Sequence, residues 1–383
     1  MRSLLRLALL GCLLGIPAAV PLLSHSTALT LSGSGMAADL SSVSALSSRT
    51  AWTAWTAGSY YMSLSDLGDF KTVTGRWNGR SWSRVSSPSP PGYIASLYGV
   101  AAVAPDDVWA VGRYNAKSGN DFTVIEHWSG KGWKVVPSPN PGRWGNGLAA
   151  VSAVSSTDVW AVGYENNPPQ TLIVHWNGKS WSAVASSSPG GPAGSILTAV
   201  SARSSNDVWA VGSYSSGSGP KALIEHWNGA SWAVLPGVDP SSSDNELMGV
   251  SAVSASDVWA VGYTTTASGD QALIEHWDGT RWARVSCPHP TRQSALAAVS
   301  ALSPADVWAV GSYGTGPVKT LTEHWDGRRW TKTASPNLSR SQNQLLGVSA
   351  ASARDVWAVG FYDAGAGHRT LVERWDGTSW AVR

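Results

Sequence analysis

A short apolar run returns along most of this chain. The hexapeptide Asp-Val-Trp-Ala-Val-Gly occurs six times, with its Asp at 107, 158, 207, 257, 306 and 355. Within each copy both alternating faces are apolar. In the fifth repeat Val258 and Ala260 point one way, and Trp259 and Val261 the other. That period of two predicts a strand that must be covered on both sides. A second pattern, Trp-x-Gly-x-x-Trp, occurs seven times, with its first Trp at 77, 128, 176, 227, 277, 325 and 375. The seventh copy exposes a degraded first repeat, in which Val43-Ser44-Ala45-Leu46 matches Val151-Ser152-Ala153-Val154. Trp52 then falls where Trp160 falls, Thr50 replaces the Asp and Trp55 the Gly.

Each unit of about fifty residues reads as four short strands. In the fifth they are Leu247 to Ser254, Val258 to Tyr263, Ala272 to Trp277 and Arg281 to Ser286, with turn residues at Ala255-Ser256-Asp257 and Asp278-Gly279-Thr280. The apolar runs are too short, and Gly too frequent between them, for helix. A ring of sheets, each packed between two neighbours, covers both faces of the second strand and leaves only short edges. The expected fold is all-β: a seven-bladed β-propeller of four-stranded antiparallel blades. Its approximate blades are 40–90, 91–141, 142–190, 191–240, 241–290, 291–338 and 339–383. The frame begins with a first strand and ends with a fourth. No blade then borrows a strand from the other terminus, and closure falls to side-chain packing alone.

Residues 1–28 depart from this pattern. Arg2 and Arg6 precede an apolar stretch from Leu7 to Leu23, followed by Ser26-Thr27-Ala28, the layout of a secretory signal. The stretch is shorter than a spanning helix needs and holds two prolines, Pro17 and Pro21. The reading is a secreted, monomeric protein with an N-terminal tail at 29–39 and no membrane contact after signal removal.

Composition narrows the function. Charged residues are 14% of the 383. Without Arg2 and Arg6 the basic and acidic residues balance, which argues against a nucleic-acid partner. Cys12 lies in the signal, so Cys287 has no partner for a disulfide. Of 23 tryptophans, all but Trp55 and Trp144 belong to the repeat, while Phe occurs only 3 times, so Trp supplies the aromatic volume of the core.

The repeat resembles those of bacterial extracellular β-propellers with tandem Asp-Val-Trp-Ala-Val-Gly and His-Trp-Asp-Gly-x-x-Trp signatures. It is similar in layout to kelch repeats. The turn at 277–282 resembles the Asp-box of sialidase-like propellers, one residue shorter, and the Trp-rich repeats of propeller lectins. WD-type propellers are similar in tying each blade with Asp, His, Ser and Trp. That resemblance implies such a role for Asp257, His276, Ser251 and Trp277. It covers nearly the whole chain after the signal and speaks for architecture, since propellers host unrelated activities.

The repeated His127, His175, His226, His276 and His324 sit on different blades, too far apart for one metal ion. With Asp107, Asp158, Asp207, Asp257, Asp306 and Asp355 they read as a structural blade network. No metal, cofactor or catalytic residue is expected: nucleophile elbows, phosphate loops and zinc spacings are absent. Acids outside the repeat (Asp66, Asp69, Glu165, Asp239, Asp244, Glu246, Asp270, Asp363) leave open a secreted glycoside hydrolase or lyase.

Links between strands one and two, and three and four, are near-constant across the repeats. The other two kinds of link differ every time. One face of the ring is thus constant and the other diversified, and function is expected on the latter. Tyr93, Arg143, Trp144, Glu165, His289 and Arg292 are its candidate contacts for a glycan or protein ligand. The alternatives are the hydrolase or lyase and a purely structural surface domain.

Overall fold

The structure, a computed structural model, describes residues 37–58, 71–90, 94–116, 119–166, 168–217, 219–288, 290–365 and 367–383. The signal segment, Tyr93, His289, Asp66 and Asp69 lie outside the described residues. The chain forms seven four-stranded antiparallel sheets, each built from strands consecutive in sequence. They span 37–86, 94–135, 146–184, 195–235, 245–284, 294–333 and 343–382, here blades 1 to 7. First strands contact first strands around the ring and so stand innermost. Blade 1 is complete: Ala37–Ser47 pairs with Thr50–Gly58 despite the lost consensus residues. That first strand takes in Ala37–Asp39, which the sequence reading assigned to a tail. Asp39 is held there by His368 of blade 7, Oδ1 to Nδ1 3.0 Å.

The consensus glycines have geometric causes. A Cβ on Gly262 would lie 1.9 Å from the Glu246 carbonyl oxygen, at the bulge between Leu247 and Gly249 of the first strand. Gly279 has φ +93°, in a turn where Asp278 Oδ1 accepts from the backbone N of Thr280 (2.8 Å) and Arg281 (2.9 Å). Asn78, Asn177 and Asn228 accept from the same two backbone positions in their own blades.

Seven tryptophan triads form the seams. The second-strand Trp of each blade meets the third- and fourth-strand Trp of the next. The triads are Trp52–Trp128–Trp133, Trp109–Trp176–Trp181, Trp160–Trp227–Trp232, Trp209–Trp277–Trp282, Trp259–Trp325–Trp330, Trp308–Trp375–Trp380 and Trp357–Trp77–Trp82. Ring centroids are 4.9–5.4 Å apart for the tilted pair and 5.3–5.6 Å for the edge-on pair. The second-strand rings are 0–2% exposed.

A second device repeats beside them. The first-strand Ser Oγ of one blade accepts the backbone N–H of the next: Ser44 from Ala102, Ser152 from Ala202, Ser201 from Ala252, Ser251 from Ala301, Ser300 from Ala350 and Ser349 from Ala45, all at 2.9–3.1 Å. Burying a Trp contributes roughly 4–6 kcal/mol of transfer free energy against about 1 kcal/mol for such a bond, so the triads dominate the seams. The ring closes with both devices, plus the Asp39–His368 pair. Closure therefore differs from the packing-only expectation: blade 7 is bonded to blade 1 as well as packed on it.

Candidate functional site

The repeated polar residues sit inside the blades. His127, His175, His226, His276 and His324 place Nε2 2.7–2.9 Å from Oδ1 of Asp107, Asp158, Asp207, Asp257 and Asp306, respectively. Each imidazole lies 4.1–4.3 Å from the second-strand Trp ring of its own blade. Arg374 replaces His in blade 7: its Nε donates to Asp355 Oδ1 at 2.7 Å and its guanidinium stacks 5.0 Å from the Trp357 ring. In blade 1 Arg76 stacks over Trp52, and Thr50 takes the place of the Asp. The four residues suggested by WD-type propellers do not form one network. His276 joins Asp257, Ser251 serves the next blade, and Trp277 Nε1 donates to the Ala255 carbonyl.

Three of the acids outside the repeat tie loops. Asp239 accepts from Ala222 N (3.1 Å). Asp270 accepts from Thr265 Oγ1 (2.8 Å) and Gln293 Nε2 (2.9 Å). Asp363 accepts from Ser341 Oγ (2.6 Å) and Gly365 N (2.7 Å). Among the described residues no group of three His, Cys, Asp or Glu gathers that would hold a metal ion.

The seam between blades 2 and 3 stands apart. Trp144, in the link between these blades, is 54% exposed and is the only largely exposed tryptophan among the described residues. The Arg143 guanidinium lies 5.4 Å from its ring centroid. Neighbouring Gly145 anchors this corner: it bridges Asp121, the first residue of the third strand of blade 2, and its carbonyl accepts from Asn166 N at 2.8 Å. A Cβ on Gly142 would lie 2.6 Å from Glu165 Cβ, so Glu165 flanks the same link. Three sequence candidates, Arg143, Trp144 and Glu165, are thus brought together. Arg292 is exposed on the link between blades 5 and 6, elsewhere on the ring.

Beneath this link lies a cluster that the sequence reading missed. Arg113, 8% exposed, lies near the end of the second strand of blade 2, Asp107–Asn115. Its Nη1 donates to Asp121 Oδ2 (2.6 Å) and Tyr164 Oη (3.4 Å), and its Nε to Tyr98 Oη (3.1 Å). Asn115 Nδ2 donates to Asp121 Oδ1 at 3.0 Å. Burial disfavours the Arg113 charge, but the Tyr98 and Tyr164 oxygens and the Asp121 carboxylate outweigh it and raise its pKa. Burial likewise raises the Tyr164 phenol, keeping its proton. The signal was in the repeat: the other blades with the hexapeptide carry Tyr164, Ser213, Tyr263, Ser312 and Phe361 where blade 2 has Arg113.

The fold defines a seven-bladed β-propeller. No protein-family model matches the chain, and no curated protein does. Solved structures do. Ycf48 bound to D1 peptide aligns with TM-score 0.57 at 15% identity, over 94% of this chain and 98% of that one. A polysaccharide lyase, ulvan lyase bound to -[GlcA(1-4)Rha3S]-, aligns with TM-score 0.52 at 10% identity, over 88% and 91%. The acylaminoacyl peptidase of Pyrococcus horikoshii aligns with TM-score 0.52 at 12% identity, over 90% of this chain and 52% of that one. At these identities the likeness is one of fold.

Proposed function

We propose that this protein is an exported binding module whose diversified face holds a glycan or protein ligand at the seam of blades 2 and 3. The observation carrying this reading is a coincidence of departures from the repeat. The exposed Trp144 and the buried Arg113 cluster, neither of which the other blades repeat, meet at one corner of the ring. A large ring left in water at the end of a fixed link suits stacking on a sugar face or a partner side chain. Arg143 and Glu165 supply a donor group and an acceptor beside it. Rings of this fold hold a peptide in one aligned structure and a polysaccharide in another, which supports a binding role without choosing between the two. The signal-like residues 1–28 support export.

The test is a glycan-array and peptide-library screen of residues 29–383, repeated with Trp144→Ala. The expected result is a ligand whose affinity falls at least about tenfold in the variant, the loss of one interface anchor, with the melting temperature nearly unchanged. A variant that melts several degrees lower while keeping full affinity would overturn the reading.

A further inference from the structure

Five blades carry a glutamate on the third strand: Glu126, Glu225, Glu275, Glu323 and Glu373, each 0% exposed. Each side chain points into the seam with the preceding blade, at the segment that leaves that blade. The facing residue lies five positions after the fourth-strand Trp: Ser87, Ser186, Gly237, Cys287 and Ser335. Ser87 Oγ donates to Glu126 Oε2, Ser335 Oγ to Glu373 Oε2 (2.7 Å), and the backbone N of Val238 to Glu275 Oε2 (3.1 Å). Ser186 is the sole side chain poised to bond Glu225, and neither oxygen of Glu323 has a hydrogen-bond partner among the described residues. Oε1 of Glu126, Glu275 and Glu373 has none either.

The charged groups facing these carboxyls are few. Asp239 faces Glu275 from the preceding link, and Arg284 is its cross-strand partner. Lys332 is the cross-strand partner of Glu323, but its Nζ donates to Tyr313 Oη at 3.0 Å. Cys287 faces Glu323 as a neutral thiol, pushed up to about 12 by burial. No ion pair reaches any of the five among the described residues. A carboxylate without a paired cation or a full set of donors is costly to bury, whereas a carboxylic acid is tolerated.

We propose that these five side chains are carried as neutral acids, proton-binding sites built into the seams, so that the ring takes up protons as it closes and loosens in alkali. Burial pushes Glu126 and Glu275 up to about 7 and Glu225, Glu323 and Glu373 up to about 8. The folded state then binds more protons than the unfolded one between the ordinary glutamate range and pH 8. Stability is fully present below that ordinary range and is lost as pH rises through 7 and 8.

The experiment is calorimetric unfolding of the intact chain at pH 7 in two buffers of different ionisation enthalpy. Unfolding is expected to release roughly three to four protons, the occupancy these carboxyls have when folded and lose when exposed. The Glu225→Gln, Glu323→Gln, Glu373→Gln triple variant should release roughly three fewer and melt above the parent at pH 8.5. Infrared spectra of the unmodified chain at pH 7 should show the carbonyl stretch of buried protonated carboxyls, an observation independent of whether the variant folds. Release of less than about one proton, or absence of that band, would overturn the proposal.

Discussion

Six seams of the ring are variations on one interface, and the seam between blades 2 and 3 is not. It keeps the tryptophan triad, Trp109 with Trp176 and Trp181, so its hydrophobic core is intact. Two of its polar residues have changed. Ala101 stands where six blades have the bridging Ser, so blade 3 receives no such bond. Val174 stands where five blades have the buried Glu. In their place this seam has Arg113, Asp121, Tyr98 and Tyr164 at its diversified end, below Trp144. Shape is carried by the shared apolar triad, leaving the polar inventory free to change at one seam.

Removing a triad ring from an ordinary seam should have the largest effect. Trp259→Ala should destabilise by about 3–5 kcal/mol, through lost burial and the cavity left between blades 5 and 6, read as a lower denaturant midpoint. An equal loss for Trp109→Ala would show that the two kinds of seam share one apolar core. Next comes the special cluster. Arg113→Met should cost roughly 3 kcal/mol on the same denaturant scale, because it takes the cation away from the largely buried Asp121 carboxylate. An unchanged denaturant midpoint would deny the ion pair its place in the difference between seams. The smallest effect should be a gain: Ala101→Ser, giving Ala153 N the acceptor found elsewhere, should stabilise by about 0.5–1.5 kcal/mol on the same denaturant scale. If Ala101→Ser has no effect or destabilises, the missing bond is not what separates this seam from its six relatives.

The strands, their turns and the number of blades were legible because each is set by residues a few positions apart. Asp257, Trp259 and Gly262 mark one strand without reference to any other. What the tryptophans touch was not legible. Trp109 meets Trp176, and nothing local distinguishes that partner from Trp128 of its own blade. The bonds that close the ring were hidden for the same reason: Ala45 and Ser349 meet only after six blades have turned the chain through a circle. Trp144 stood out because it interrupts a link with no strand to occupy. Arg113 and Tyr98 did not, because each lies inside a regular strand where a residue is read first as core or surface. Only comparison of the same position across the blades exposes a buried guanidinium.

Every blade here is one uninterrupted stretch of chain, and no sheet is shared between the two termini. The molecule is therefore modular in its covalent order as well as in its shape. A cut at any inter-blade link, with the old ends joined, would leave all seven sheets whole, so circular permutants are open to this ring in a way denied to propellers closed by a shared strand. For the same reason duplication or deletion of one unit adds or removes a complete sheet together with both halves of the interfaces it brings. The curvature of the ring, set by how each triad seats the next blade, is then what holds the count at seven.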